Sequence, residues 1–286
     1  WSPFGQGVLL LLIQVGGMGV VTMAVAIFMF SGRKIGLKQR WVMQESISAP
    51  QVGGIVRMTG FILKTAFLIE AIGALLLALR FCPQFGLGKG IWYGIFHAVS
   101  AFCNAGFDLM GETGAFSSLT GYVGDPLVNL VICLLIVVGG LGFLTWHDVA
   151  AHGRHVSQYR LQSKLILLTT LALLVGGFLF LRFYEFSRPP WAGLTGGERG
   201  LAALFQSVSP RTAGFNTVDL TQLSACSQLM TILLMLAGCS PGSTAGGFKT
   251  TTLAVLLLSV GAVIRRQGSA RCFGRRLPDQ VLRNAC

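Results

Sequence analysis

Hydrophobic and polar positions fall in long blocks along this chain rather than alternating residue by residue. Apolar runs cover residues 4–30, 58–79, 127–146, 165–186 and 223–237, and a last one, after an interruption, covers 250–264. A helix that crosses a bilayer needs about 20 predominantly apolar residues, whereas barrel strands alternate over roughly 10. The blocks therefore predict membrane-spanning helices. Two further segments, 91–102 and 199–209, read as helices too short to cross, since twelve residues rise only about 18 Å. Each of them stops in a polar, glycine-containing loop and is followed by another apolar run. Lipid offers no hydrogen-bond partner, so irregular backbone at membrane depth is tolerated only inside protein or against a water-filled cavity. The pattern predicts an all-α integral membrane protein of repeated units, each a span, a re-entrant helix with its loop, and a second span.

The two loops are copies of one another. Phe96-His-Ala-Val-Ser-Ala-Phe-Cys-Asn-Ala-Gly-Phe107 aligns with Phe205-Gln-Ser-Val-Ser-Pro-Arg-Thr-Ala-Gly-Phe215 when one residue is gapped. The alignment pairs Val99 with Val208, Ser100 with Ser209, and Ala105-Gly106-Phe107 with Ala213-Gly214-Phe215. The spacing, roughly 110 residues, far exceeds a solenoid period of about 20–50. Gln14-Val-Gly-Gly-Met-Gly19 and Val138-Gly-Gly-Leu-Gly-Phe143 form a second repeated pattern, read as close helix packing through small residues.

Composition agrees with the pattern: 53% of residues are hydrophobic and 11% charged, against about 25% charged in soluble domains. The net charge of +12 raises the question of nucleic acid, but the basic residues concentrate in alternate loops. Segments 31–57, 147–164 and 265–283 are basic, while the acidic residues Asp108, Glu112, Asp125, Glu198 and Asp219 lie in the loops between. The positive-inside rule puts the basic segments in the cytoplasm, so both short helices re-enter from outside. No nucleic-acid partner is expected.

A helix that re-enters from outside points its partially negative C-terminus at the membrane middle, which favours a cation. The loops that follow carry carbonyls able to replace an ion's hydration shell. The expected filter backbone is Cys103, Asn104, Ala105, Gly106 and Phe107 in one copy, and Arg211, Thr212, Ala213, Gly214 and Phe215 in the other. Asp108 and Asp219 either raise cation concentration at the mouth or are ordinary solvated residues. A third polar stretch interrupts the last apolar region: Gly238, Ser240, Pro241, Gly242, Ser243, Thr244, Ala245, Gly246, Gly247 and Lys249. It reads as a flexible gate under the filter or as a kink. Glu70 in the second run is either functional or a structural hydrogen-bonded carboxylate, and Lys64 near the basic end can snorkel. The seven cysteines form no CxxC pair and read as small buried side chains; His147, His152 and His155 read as solvated loop residues rather than a metal site. With no His/Cys/Asp/Glu cluster and no Ser–His pair at membrane depth, an embedded enzyme is disfavoured. A structural or assembly subunit without transport activity is the remaining alternative.

Ser-Ala-Phe-Cys-Asn-Ala-Gly-Phe, Ser-Pro-Arg-Thr-Ala-Gly-Phe-Asn and Gly-Cys-Ser-Pro-Gly-Ser-Thr-Ala-Gly-Gly-Phe-Lys-Thr-Thr-Thr together resemble the membrane subunit of the Trk/Ktr/HKT superfamily of potassium transporters, and within it the Ktr type. The resemblance implies four span–pore-helix–span repeats around one potassium pathway, with filter carbonyls binding the ion and a mobile loop in the third repeat gating it. It assigns 1–31 to the second span of repeat 1, 32–57 to a cytoplasmic linker, 58–147 to repeat 2, 148–164 to a linker, 165–264 to repeat 3 with the gating loop at 238–249, and 265–286 to a basic linker toward repeat 4. With two of the four filter segments, the chain as given is expected not to conduct alone. The resemblance also implies potassium as substrate with no other cofactor, possible sodium coupling, a homodimer, a cytosolic nucleotide-binding regulatory ring, and residence in the cell membrane, as in a bacterial inner membrane.

Overall fold

A computed structural model describes residues 2–19, 55–112, 114, 117–266, 271–273 and 275–276. The inner part of the first apolar run, the linker expected at 32–57 up to residue 54, and most of the basic tail lie outside the described residues.

The first helix, α1 (Pro3–Met18), starts at Ser2, whose hydroxyl accepts from Gly5 N–H at 3.1 Å. Helices α2 (Ile55–Phe85) and α3 (Leu87–Phe102) form a tight hairpin. The sequence predicts a turn over residues 81–90, but α2 continues through Pro83, and Gly86 alone, at φ 84, reverses the chain. Close packing permits this: a Cβ at Gly94 would lie 2.7 Å from the carbonyl oxygen of Ala74 on α2. Asp125 then caps α4 (Pro126–Gly140) by accepting from the N–H groups of Leu127 and Val128, and it pairs with Arg80.

The single span expected at 127–146 is broken. Helix α5 (Phe143–His152) leaves α4 at 98°, with Gly142 at φ 87 between them. Helix α6 (Leu161–Phe180) runs on through a π-helical turn to Glu185. The second short helix, α7 (Gly196–Val208), opens with a capping box between Thr195 and Glu198. It is followed by α8 (Ala225–Leu236) and α9 (Thr250–Ile264). Beyond α9, Arg271–Cys272 and Arg275–Arg276 make a two-residue antiparallel pairing, and the rest of the described chain is helices and loops. By length and composition α2 and α6 can each cross a membrane, and the bent α4–α5 pair supplies a third candidate span.

The short helices α3 and α7 sit inside this frame. Phe96 and Phe205, equivalent in the two repeat copies, are both fully buried, as are Phe102 and Phe215. Cys103, Cys133 and Cys239 are buried as expected, but Cys226 is exposed on α8, a helix that also exposes Leu229, Ile232, Leu233, Met235 and Leu236.

Glu185 ties the end of α6 to the segment after the second loop. Its carboxylate is fully buried and accepts from Trp191 Nε1 at 2.9 Å, Ser224 Oγ at 2.5 Å and Ser227 Oγ at 2.7 Å, with Arg188 Nη1 at 3.5 Å. Glu185→Ala strands the buried donors of Trp191 and Ser227 and the half-buried one of Ser224, at a cost of about 3 kcal/mol. The melting temperature of the detergent-solubilised protein is expected to fall by about 6–12 °C, read by thermal-shift size-exclusion chromatography.

Candidate filter and intramembrane segment

The two loops after α3 and α7 share one backbone design. In each, a serine in the preceding helix turns its hydroxyl onto the carbonyl of the phenylalanine that closes the loop: Ser100 Oγ donates to Phe107 O at 2.7 Å, and Ser209 Oγ donates to Phe215 O. In each, the amide of the alanine returns to the same serine's carbonyl, Ala105 to Ser100 and Ala213 to Ser209. Positive φ recurs in register, at Asn104 (52) and Gly106 (73) and again at Thr212 (77) and Gly214 (90). A β-branched residue at φ 77 is a genuine outlier, and such strain, of order 1–3 kcal/mol, collects at functional sites. Removing one hydroxyl, by Ser100→Ala or Ser209→Ala, is expected to cost about 1 kcal/mol of loop order. The melting temperature of the detergent-solubilised protein is expected to fall by about 2–4 °C.

The loops meet each other. A Cβ on Gly106 would lie 2.2 Å from the carbonyl oxygen of Ala213 and 3.2 Å from Gly214 Cα. The expected filter residues are thus brought together across the two repeats. They differ in exposure: Phe215 is fully buried, whereas Phe107 is 41% exposed.

The polar stretch after α8 is folded into the break between α4 and α5. Helix ends leave carbonyls and N–H groups without partners, and here the stretch supplies them. Ser240 N–H donates to Gly140 O at 3.1 Å, Thr244 N–H to Gly139 O at 3.3 Å, and Phe143 N–H to Gly242 O at 2.7 Å. This exchange is how polar backbone is satisfied at membrane depth. The repeated glycine pattern makes the room. A Cβ on Gly17 would lie 2.5 Å from Cys103 Sγ, and one on its counterpart Gly140 would lie 2.6 Å from Cys239 Sγ.

The stretch also touches both loops. Arg211 donates from Nη2 to Gly238 O at 3.4 Å, Cys239 Sγ approaches Arg211 O at 3.4 Å, and Thr212 Oγ1 lies 3.7 Å from Cys239 Sγ. Thr244 reaches the other loop, its Oγ1 lying 3.1 Å from Asn104 Nδ2. Gly238, Ser240 and Ala245 are buried, Pro241, Gly242, Ser243 and Thr244 half-buried, and Gly246 and Gly247 exposed. Lys249 turns back on its own segment, its Nζ 3.1 Å from Ala245 O. Beside the segment lies a cavity of about 310 Å³ lined by Gly17, Gly19, Phe143, Thr244, Ala245 and neighbours. At about 30 Å³ per water it has room for several water molecules.

Several residues at this site were not singled out from the sequence. His97 is fully buried, its Nδ1 2.7 Å from Tyr93 O and its Nε2 3.3 Å from Leu109 N, so it pins the segment after the first loop to α3. The signal was available, since the other copy also has a buried polar residue, Gln206, at this position. Gln14 Nε2 lies 3.1 Å from both oxygens of Glu70, and Cys103 Sγ lies 3.9 Å from one of them, so Glu70 joins α1 and α2 behind the first loop. The Arg211 side chain is buried and makes no ion pair among the described residues. Beyond the second loop, Thr221's hydroxyl and N–H hold the Asp219 carboxyl below the usual carboxylate range, so it is charged at neutral pH. Asp108 accepts from Met110 N–H at 3.0 Å. No group of three or more metal-ligating side chains occurs among the described residues.

Known proteins share this architecture. A family model described as TrkH, cation transport protein, matches residues 2–284. The potassium/sodium uptake protein NtpJ of Enterococcus hirae is 39% identical over 285 residues, covering 100% of this chain and 62% of the relative. The Ktr system potassium uptake protein B of Bacillus subtilis is 40% identical over 283 residues, covering 99% of this chain and 62% of the relative. The chain thus spans 62% of the length of these relatives. The crystal structure of the potassium transporter TrkH from Vibrio parahaemolyticus matches in fold with a TM-score of 0.66 at 20% identity, over 96% of this chain and 53% of that one. With its twin loops and a family match over residues 2–284, this chain belongs to the TrkH family of cation transport proteins.

Proposed function

We propose that this chain forms part of a potassium-uptake pathway across the cell membrane. In this reading the backbones of residues 103–107 and 211–215 hold the partly dehydrated ion, and the segment from Gly238 to Lys249 gates its passage. One observation carries it. Two repeat-related loops keep the same serine-to-carbonyl bond and the same positive-φ positions, and they face each other backbone to backbone at Gly106 and Ala213. Packing alone does not require that conformation twice. Potassium as the ion is supported by the names of the relatives, and sodium coupling by the potassium/sodium name of the Enterococcus protein.

The finer assignments follow the same reading. The segments 58–147 and 165–264 act as two repeats of the pore, and 1–31 contributes a second span of another. The protein works as a homodimer in a bacterial plasma membrane, with a cytosolic nucleotide-binding ring on its basic face. The test is rubidium uptake into proteoliposomes carrying the full gene product. Uptake that potassium competes for and sodium competes for poorly is expected; a well-folded preparation with no rubidium flux overturns the proposal.

A further inference from the structure

Helix α3 ends with four carbonyls that no further helical turn can satisfy. The loop after it takes three of them. Cys103 N–H bonds Val99 O at 2.9 Å, Ala105 N–H bonds Ser100 O at 2.8 Å, and Asn104 N–H bonds Ala101 O at 3.1 Å. The fourth, Phe102 O, receives the hydroxyl of Thr244, 142 residues away, at 2.8 Å. Asn104 Nδ2 lies 3.1 Å from the same hydroxyl oxygen and 3.4 Å from Phe102 O. Asn104 is therefore donor to Thr244, and the hydroxyl hydrogen is directed onto the carbonyl. Such chains polarise and strengthen one another.

Room for this contact is made by the first glycine of the repeated pattern in α4. A Cβ on Gly139 would lie 2.0 Å from Phe102 O, 2.9 Å from Thr244 Oγ1 and 3.1 Å from Asn104 Nδ2. Helix, filter loop and intramembrane segment all converge on one point that only glycine admits. The segment is also attached at its buried start, at Gly238 and Cys239, and by backbone bonds of Ser240, Gly242 and Thr244 to the α4–α5 break; residues 246–248 are exposed.

We propose that Thr244 is the latch of the gate: its hydroxyl holds the segment shut by occupying the last open carbonyl of the α3 terminus. This rests on the gating role proposed above for the segment. Opening pivots the chain about residues 238–240 and releases Phe102 O toward the neighbouring cavity, where water replaces the hydroxyl. Thr244 is a positioning residue in this scheme, since it acts through the segment and not on the ion.

The test compares Thr244→Val, which keeps the shape and removes the donor, with Thr244→Ser, which keeps the donor. Rubidium flux is measured in proteoliposomes of the full gene product, with no cytosolic partner. Loss of the latch is expected to raise flux about five- to tenfold in Thr244→Val, with the rubidium-over-sodium ratio unchanged, and Thr244→Ser is expected to stay within about twofold of wild type. Unchanged flux in Thr244→Val, or an equal rise in both variants, overturns the latch. So does a changed ion ratio without a rise in flux, which would make Thr244 part of the filter. If deleting residues 241–246 raises flux and Thr244→Val does not, the gate stands and the latch alone falls. If no version, wild type included, carries rubidium, it is the transport reading that fails.

Discussion

Gly106→Ser is expected to abolish potassium-over-sodium discrimination, while Gly214→Ser weakens it less. Both residues sit at positive φ, 73 and 90, where a side chain costs about 1–2 kcal/mol. Their surroundings differ. The new Cβ at Gly106 would fall 2.2 Å from the carbonyl oxygen of Ala213, a backbone atom that cannot rotate aside, so the opposite loop must move. At Gly214 the nearest atom is Gly106 Cα at 3.8 Å, an ordinary contact. One substitution thus distorts two loops and the other strains one. Each ~1.4 kcal/mol lost in relative ion binding is about tenfold in selectivity. A loss of roughly a hundredfold is therefore expected for Gly106→Ser and about tenfold for Gly214→Ser. Competition of sodium and potassium against rubidium uptake measures both. Equal effects of the two changes, or none, remove these loops from the filter.

Deleting residues 241–246 is expected to raise flux and reduce its dependence on a cytosolic partner, with ion preference largely kept. The segment is glycine- and proline-rich, and these residues cost about 1 and 3 kcal/mol in a helix relative to alanine, so no regular helix competes with its folded shape. What holds it is a few hydrogen bonds to the α4–α5 break and to the two loops. If two of these, worth about 1 kcal/mol each, set the closed state, the open form occupies about 3% of molecules, and deletion raises flux about thirtyfold. The deletion also has a structural cost. Phe143 N–H and Gly139 O lose their partners Gly242 and Thr244, so lower thermal stability is expected alongside the higher flux. Flux with and without the cytosolic partner, beside a melting curve, separates the two effects. Unchanged flux in a folded deletion would make the segment a kink.

Much of this site could be read from the chain. The apolar blocks located α2 and α6, and the duplicated motif located both short helices and aligned their loops residue for residue. The matching serine–phenylalanine bonds fit the one-residue gap drawn from sequence. Local spacing carried this information because a helix terminus and the loop that satisfies it are neighbours in sequence. The glycine patterns predict helix packing, whereas Gly17 and Gly140 instead meet Cys103, which caps α3, and Cys239, in the non-helical segment.

Where sequence reading stopped, the deciding contacts were long-range. A run of twenty apolar residues at 127–146 looks like one span, because composition does not record the direction of the chain. Gly142 permits the 98° turn, but the polar segment from the far end of the protein stabilises it, by satisfying the helix ends that the break exposes. The expected turn at 81–90 shrank to Gly86 because α3 can pack against α2 closely enough to need no longer connection. Sequence alone determined the membrane class, the duplicated motif and the position of the two loops, since these follow from local hydrophobicity and from chain-neighbour hydrogen bonds. Only the tertiary structure decided which loop faces which, how the segment is fastened, and which carbonyl Thr244 holds, because those partners are brought together by packing from positions up to 142 residues apart.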